Sequence, residues 1–221
     1  MADLQRVGIL GGTGAAGRAL ATRLAAAGVA VVIGSRDAAR AEEVAAQIAA
    51  TGTLRGAHNA EAAACELVVL ATPWEGAVAT ARELAAPLSG KVVVSMVNAL
   101  SRIGNEFQAL VPVRGSMAAT VQAAVPAARV TAAFHHLPAG ALAALEHPLC
   151  ADVLVCADDE EAGAATCALV EVIPGLRAVR CGSLASANAV EALTAVLLNV
   201  NRRYKAHAAL ALTGLGEHGQ A

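Results

Sequence analysis

Residues 6–36, RVGILGGTGAAGRALATRLAAAGVAVVIGSR, restrict the fold more than any other part of the chain. An apolar stretch from Val7 to Leu10 reads as a buried strand and runs into Gly12-x-Gly14-x-x-Gly17. A helix-length segment rich in Ala and Leu follows, then a second apolar stretch from Val29 to Ile33 that ends in Ser35-Arg36. Each glycine is expected to have its own task. Gly12 permits a tight turn out of the strand, Gly14 lets backbone approach a pyrophosphate, and Gly17 lets the helix pack on the sheet. The helix N-terminus adds free N–H groups and positive dipole density. A lone GxGxxG is a weak signal. Set between strand and helix, the loop Gly12 to Gly17, with Thr13, Ala15 and Ala16, reads as a dinucleotide site.

The end of the second strand reports which dinucleotide. Selection of NAD normally needs a carboxylate about 20 residues beyond the glycines, where it accepts hydrogen bonds from the ribose. This chain has Gly34-Ser35-Arg36-Asp37 there, with Arg40 one helical turn further on. Ser35 can donate to a phosphate and Arg36 and Arg40 can grip it, which suits the 2′-phosphate of NADP. Asp37 competes as a ribose ligand, but it stands just before the helical run Ala38 to Ala50 and reads better as its N-cap.

The rest of the chain bounds the class. Its 221 residues suit one packed α/β unit with a modest appendage. With 57% apolar and only 2% aromatic residues, the core has to be built from Ala, Val and Leu. A net charge of −2 argues against nucleic acid as a partner. No uncharged apolar run reaches the ~18–20 residues that cross a bilayer, and residues 1–10 lack the marks of a secretory leader. Membrane association is therefore not expected, and the cytoplasm is. Cysteines 65, 150, 156, 167 and 181 are odd in number without a CxxC pair, which fits reduced thiols. No Cys/His cluster has ligand spacing, so no metal is expected.

Further strands are expected at Thr53 to Ala57, Leu67 to Ala71, Lys91 to Val97, Val130 to Phe134, Val153 to Ala157 and Leu176 to Arg180. Helices are expected from Pro73-Trp74-Glu75 to about Gly90, and from Asp159 to Val172. This alternation implies a Rossmann-like, doubly wound, mainly parallel sheet with helices on both faces. From Ser183 to about Leu212 the pattern is helical throughout. The expected division is a nucleotide-binding unit at 1–182 and a small helical unit at 183–221 that covers the cleft.

In such a sheet, ligands sit outside the carboxyl ends of the strands. Those exits are Gly11 to Gly14, Ser35-Arg36, Thr72-Pro73-Trp74, Ser95 to Leu100 (with Met96, Val97 and Asn98), and His135-His136-Leu137-Pro138, followed by Ala139. Conventional catalytic devices are missing, with no Tyr-x-x-x-Lys and no HExxH. Reduction of a carbonyl needs a proton donor for the oxygen, whereas hydride exchange between two ring cofactors chiefly needs alignment and exclusion of water. The small and apolar exits suit the second task. If His135 and His136 close a strand, their rings point to opposite faces. A functional reading is kept for His135 alone. Trp74 reads equally as an anchor for its helix, Thr13 as a filler of its turn, and Arg202-Arg203-Tyr204-Lys205 as a solvated helix end. Asn188 and Glu191 read as surface or interface groups.

Taken in order, GGTGAAG (11–17), VIGSR (32–36), TPWEGA (72–77), VVVSMVNAL (92–100), FHHLPA (134–139) and CGSLASANAVEALTAVLLNVNRRYK (181–205) resemble the F420–NADP oxidoreductases. These are NADPH-dependent reductases of the deazaflavin coenzyme F420, and the likeness spans nearly the whole chain. It implies reversible hydride transfer between nicotinamide C4 and deazaflavin C5. It places the NADP phosphates on Thr13, Ser35, Arg36 and Arg40. The deazaflavin cleft falls on Trp74, Met96, Val97, Asn98, His135, Leu137, Pro138, Ala139 and the segment from Ser183 onward. His135 is then the residue expected to position the deazaflavin. A proline common near Asn98 is absent here. The acidic F420 tail calls for a basic rim, with Arg202, Arg203, Lys205 or His135 as candidates. The likeness also implies a homodimer. Two other readings share the glycine motif: an NADPH-dependent imine or pyrroline reductase, and a non-catalytic NADP sensor.

Overall fold

The computed structural model describes residues 6–48 and 53–215. Residues 1–5, Ala49 and Ala50 at the end of the second expected helix, and 216–221 of the expected helical tail lie outside the described residues.

Strands buried on both faces must be apolar at successive positions, and the side chains then divide by parity. In β1 (Arg6–Leu10), Val7 and Ile9 join one core cluster while Leu10 joins the other. The same division runs through β2 (Ala30–Ser35), β4 (Leu67–Leu70) and β5 (Val92–Ser95), where Val31, Val69 and Val94 face one way and Val32, Val68 and Val93 the other. The first cluster lies under α1 (Ala15–Ala26), α2 (Ala38–Ala46) and α8 (Glu160–Glu171). The second lies under α3 (Asn59–Ala63), α4 (Trp74–Glu83), α5 (Ala85–Leu88), α6 (Met117–Ala124) and α9 (Ala187–Tyr204). The result is a sheet with helices on both sides.

Three more strands complete that sheet, β3 (Leu54–His58), β8 (Arg129–Ala132) and β9 (Ala151–Ala157), with β10 (Leu176–Arg180) at its edge. The order is β10-β9-β8-β5-β4-β1-β2-β3. The run β3-β2-β1-β4-β5 is the nucleotide-binding order, and every neighbouring pair is parallel except β8 and β9. The carboxyl ends of β1, β2, β4, β5 and β8 therefore share one edge.

Several elements depart from expectation. A hairpin, β6 (Leu100–Ile103) and β7 (Glu106–Ala109), turns at Gly104 with φ +57°, on the two-residue Gly-Asn signal. Its strands are only four residues each and mostly exposed, too short for a periodic signal. Helix α6 is masked in the sequence by alanines that give no contrast between faces; Ser116 caps it by accepting from Ala119 N–H at 3.0 Å. The segment α7 (Ala139–Ala143) follows the fifth strand exit. Strand β8 stops at Ala132, so His135 and His136 do not close a strand. Phe134 takes a left-handed φ of +65° and the chain turns there, with Leu137 N–H donating to Phe134 O. The strand alternation expected for the two histidines does not apply.

Helix α9 ends at Tyr204 rather than near Leu212, because Lys205 adopts φ +50° and Asn201 bonds the backbone of Ala208 on both sides. The chain then returns along β9, where Asp152 N–H donates to Leu210 O at 2.8 Å. Asp152 is buried and held by Arg177 (Nε to Oδ1, 2.6 Å). Among the described residues, no helix is long and apolar enough to cross a membrane.

Candidate functional site

The glycine loop begins one residue earlier than the motif alone implies. Gly11, not Gly12, carries the positive φ (+72°), which only glycine adopts without strain. Gly12 is closed in by Ile33 and by Ile9 O. The expectation that Gly12 supplies the turn is thus corrected: Gly11 turns the chain and Gly12 admits its close passage over β2. Gly17 does what the motif predicts, since a Cβ there would lie 2.9 Å from Gly12 Cα and 3.1 Å from Ala71 Cβ. Gly14 stands at the N-cap of α1, whose first turn holds no acidic residue and no side-chain cap, so the positive end of the helix dipole is left uncompensated at the loop.

A cavity of about 500 Å³ opens on this loop. It brings together Thr13, Gly14, Ser35, Arg36, Arg40, Thr72 and Pro73, all expected site residues, and adds Gly11, Asp37, Asn59, Gly76 and Thr80. Asp37 is spent on the helix it precedes, accepting from Arg40 N–H at 3.2 Å, and its own N–H donates to Ser35 Oγ at 3.2 Å. Ser35 therefore keeps its hydroxyl proton for a ligand. Arg36 and Arg40 flank it as cations. Two buried atoms in the lining, Asn59 Oδ1 and Thr72 Oγ1, have no hydrogen-bond partner. Leaving a buried polar atom unpaired costs about 1–3 kcal/mol, a cost that a polar ligand removes. The chemistry of the set fits a phosphorylated nucleotide: helix N-terminus, serine hydroxyl, two guanidiniums and two unsatisfied polar groups.

The second group of expected residues lies at the exits of β5 and β8. Asn98 Nδ2 donates to His135 O at 3.1 Å, and Thr194 Oγ1 of α9 lies 3.1 Å from both His135 O and Asn98 Oδ1. Three distant parts of the chain thus meet on one carbonyl. Further contacts seat α9: Asn188 Nδ2 donates to Gly115 O, and the Glu191 carboxylate accepts from Met117 and Ala118 N–H at the start of α6. Glu191 is buried, and burial raises its carboxyl to about 7 even though the two N–H donors pull it down. Both are interface groups.

Met96, Val97, His135 and Leu137 are buried here, while Asn98, Pro138 and Ala139 are half-exposed. The His135 ring is only 4% exposed, and neither nitrogen has a partner. Burial, helped by His136 close by, lowers its pKa to about 3. It is neutral near pH 7 and cannot serve as a cation for an acidic tail, so it leaves the set of rim candidates. Arg203 and Lys205 remain exposed, and Arg202 is also exposed but bonds Asn105 Oδ1 at the hairpin tip (2.6 Å). His136 has a structural role, with Nε2 accepting from Leu154 N–H at 3.3 Å. Trp74 packs on the second core cluster, which matches the anchor reading.

Comparison with known proteins decides the family. Residues 6–99 match the model of NADP oxidoreductases that are coenzyme F420-dependent. The F420-dependent NADP reductase of Methanocaldococcus jannaschii is 36% identical over 210 residues, covering 90% of this chain and 94% of that protein. The chain belongs to the F420-dependent NADP reductases. A solved structure from Arthrobacter sp. FB24, provisionally described as an F420-dependent NADP reductase, superposes with a TM-score of 0.81 at 24% identity, covering 95% of this chain and 99% of that one. An imine reductase of Bacillus cereus shares the fold at a TM-score of 0.59 and 18% identity, covering 91% of this chain but 60% of its own. Asn59 and Thr80 of the cavity, and Thr194 beside His135, were not singled out by the sequence; Asn59 is the one within its reach. Its signal was present, because Asn59 follows directly on a parallel strand, β3, whose exit belongs to the same edge.

Proposed function

We infer that this protein is an oxidoreductase that moves a hydride between NADP(H) and coenzyme F420, as its family membership indicates. The structural observation that supports it best is one sheet edge with two unlike halves: an open cationic cavity at the glycine loop, and a sealed turn built on His135 beside it. Nicotinamide supplies or takes the hydride at C4, and the deazaflavin exchanges it at C5.

In this proposal the α1 N-terminus and Thr13 hold the pyrophosphate, and Ser35, Arg36 and Arg40 hold the 2′-phosphate. Asn59 and Thr72 gain the partners they lack when the nucleotide half fills the cavity. Trp74, Met96, Val97, Leu137, Pro138 and Ala139 form apolar walls that keep water from the reacting rings, with Asn98 at their margin. His135 positions the deazaflavin through the turn it fills: its enclosed, neutral imidazole holds the segment Leu137 to Ala139 in place and exchanges no proton with the ring. The Asn98–Thr194 clasp on its carbonyl fixes the turn that carries the ring. The helical unit that begins at residue 183 acts as the cover, with Arg202, Arg203 and Lys205 as the rim for an acidic tail.

We also propose a homodimer. Ile103, Val111, Val113 and Val196 are exposed apolar residues on or near the hairpin and on α9, which the hairpin packs against. The five free cysteines fit the cytoplasm.

The test is anaerobic mixing of the protein with NADPH and oxidised F420 while the deazaflavin absorbance is followed. Bleaching with matching loss of NADPH supports the proposal. NADPH binding without turnover would favour a sensor, and reduction of a cyclic imine in place of F420 would favour an imine reductase.

A further inference from the structure

Two thiols outside both halves of the site face each other across the last pair of strands. Strands β9 and β10 run parallel with Val155 opposite Arg180. The next residue continues the register, with Cys181 N–H donating to Val155 O at 3.0 Å, so Cys156 lies opposite Cys181. Parallel neighbours stand about 4.8 Å apart, inside the ~4.4–6.8 Å Cα separation that a disulfide spans. The two sulfurs already approach to 3.3 Å. We propose that Cys156 and Cys181 are a redox site, a dithiol that small hydroperoxides convert to a disulfide tying β9 to the chain where it leaves for α9.

The two sulfurs are unequal. Cys156 is buried, whereas Cys181 is half-exposed. The hydrogen bond shared with Cys156 holds the Cys181 thiol below its ordinary range against the opposing effect of burial, while that same contact and burial push Cys156 up. Because peroxide reaches the half-exposed sulfur first, Cys181 is the attacking thiolate and the enclosed Cys156 the resolving thiol. The Cys181 sulfur attacks one oxygen of hydrogen peroxide, the O–O bond breaks, and the departing hydroxide takes up the proton that Cys181 had shed, leaving a sulfenic acid and one water. The Cys156 sulfur then attacks the Cys181 sulfur, the S–O bond breaks, and the hydroxyl leaves as a second water with the Cys156 proton. Two thiols and one peroxide give one disulfide and two waters, with two electrons passing from sulfur to peroxide. The bridge would lock the residue that precedes Gly182, where the backbone swings at φ +121° toward α9.

The experiment exposes the full-length reduced protein to a few equivalents of hydrogen peroxide and reads intact mass, free thiols and non-reduced peptides. Expected are the loss of two hydrogens in mass, disappearance of two of the five titratable thiols, and a reducible linked pair of peptides holding Cys156 and Cys181. Cys181→Ser should abolish the link, and Cys156→Ser should leave a dimedone-reactive sulfenic acid at Cys181. The exposed Cys150 is replaced by Ser in a parallel sample to exclude bridging between molecules. Wild-type protein that gains oxygen without the linked peptides, or links through another cysteine while Cys156 and Cys181 stay alkylatable, overturns the proposal. The wild-type peptide map decides the matter even if a variant fails to fold.

Discussion

The two halves of the carboxyl edge are built by opposite means. At the nucleotide half, the glycine loop, Ser35, Arg36 and Arg40 come from one contiguous stretch, and the side chains stand open around a cavity of about 500 Å³. At the ring half, the decisive contacts join Asn98, His135 and Thr194 from three separate elements, and the His135 ring is closed off. On the function proposed above, affinity for NADP is encoded locally, while the geometry of hydride transfer depends on how the chain closes on itself. Damage to the first half should appear in nucleotide binding, and damage to the second in turnover.

The largest effect falls on the backbone of the nucleotide half. Gly17→Val sets a branched side chain against Gly12 Cα and Ala71, and should abolish NADPH binding in a fluorescence titration and lower the thermal midpoint steeply. Unchanged binding would separate the loop from the cofactor. Next comes Arg36→Glu, which replaces a charge-assisted phosphate contact by repulsion. Its kcat/KM with NADPH should fall about 100-fold, and with NADH less than about threefold. Equal losses in steady-state kinetics would show that Arg36 does not read the 2′-phosphate.

The ring half gives smaller and different signals. Thr194→Val keeps the volume but removes the hydroxyl on the His135 carbonyl, so kcat should drop about tenfold while the NADPH dissociation constant holds. A change confined to NADPH affinity would break the division between the halves. The pH dependence of stability also belongs to this half. His135 and His136 have pKa values lowered by burial to about 3 and about 4, so the stability they confer is full above about 6.5 and is lost as the pH falls toward those values. Glu191, raised to about 7, has the opposite sign: its contribution is full below about 4.5 and is lost as the pH rises through 7. Between 4.5 and 6.5 the two histidines outweigh the single carboxyl, and stability should rise with pH. Glu191→Gln should steepen that rise in urea titrations; an unaltered slope would remove Glu191 from the balance.

The same contrast explains what was legible in the sequence. The alternation of strands and helices, the place of Arg36 at the end of β2 and the capping role of Asp37 were readable because short-range patterns determine them: apolar runs, glycine spacing and a cap before a helix. The turn at Gly11 was hidden because both glycines of the pair fit the motif and only the φ angle separates them. Asn98 and Thr194 are 96 residues apart, and no local pattern ties either to a histidine carbonyl. Helix α6 escaped notice because its alanines carry no amphipathic contrast, although Ser116 marks its start. Asn59 was within reach, since the exit of β3 obeys the same edge rule as the other exits.

Direct passage of hydride between the two coenzymes is tested most simply with NADPH carrying deuterium at the transferable position of nicotinamide C4. After one turnover with oxidised F420 in ordinary water, the expected result is the label at C5 of the reduced deazaflavin. Reduced F420 without the label, with deuterium released to the solvent, would contradict it.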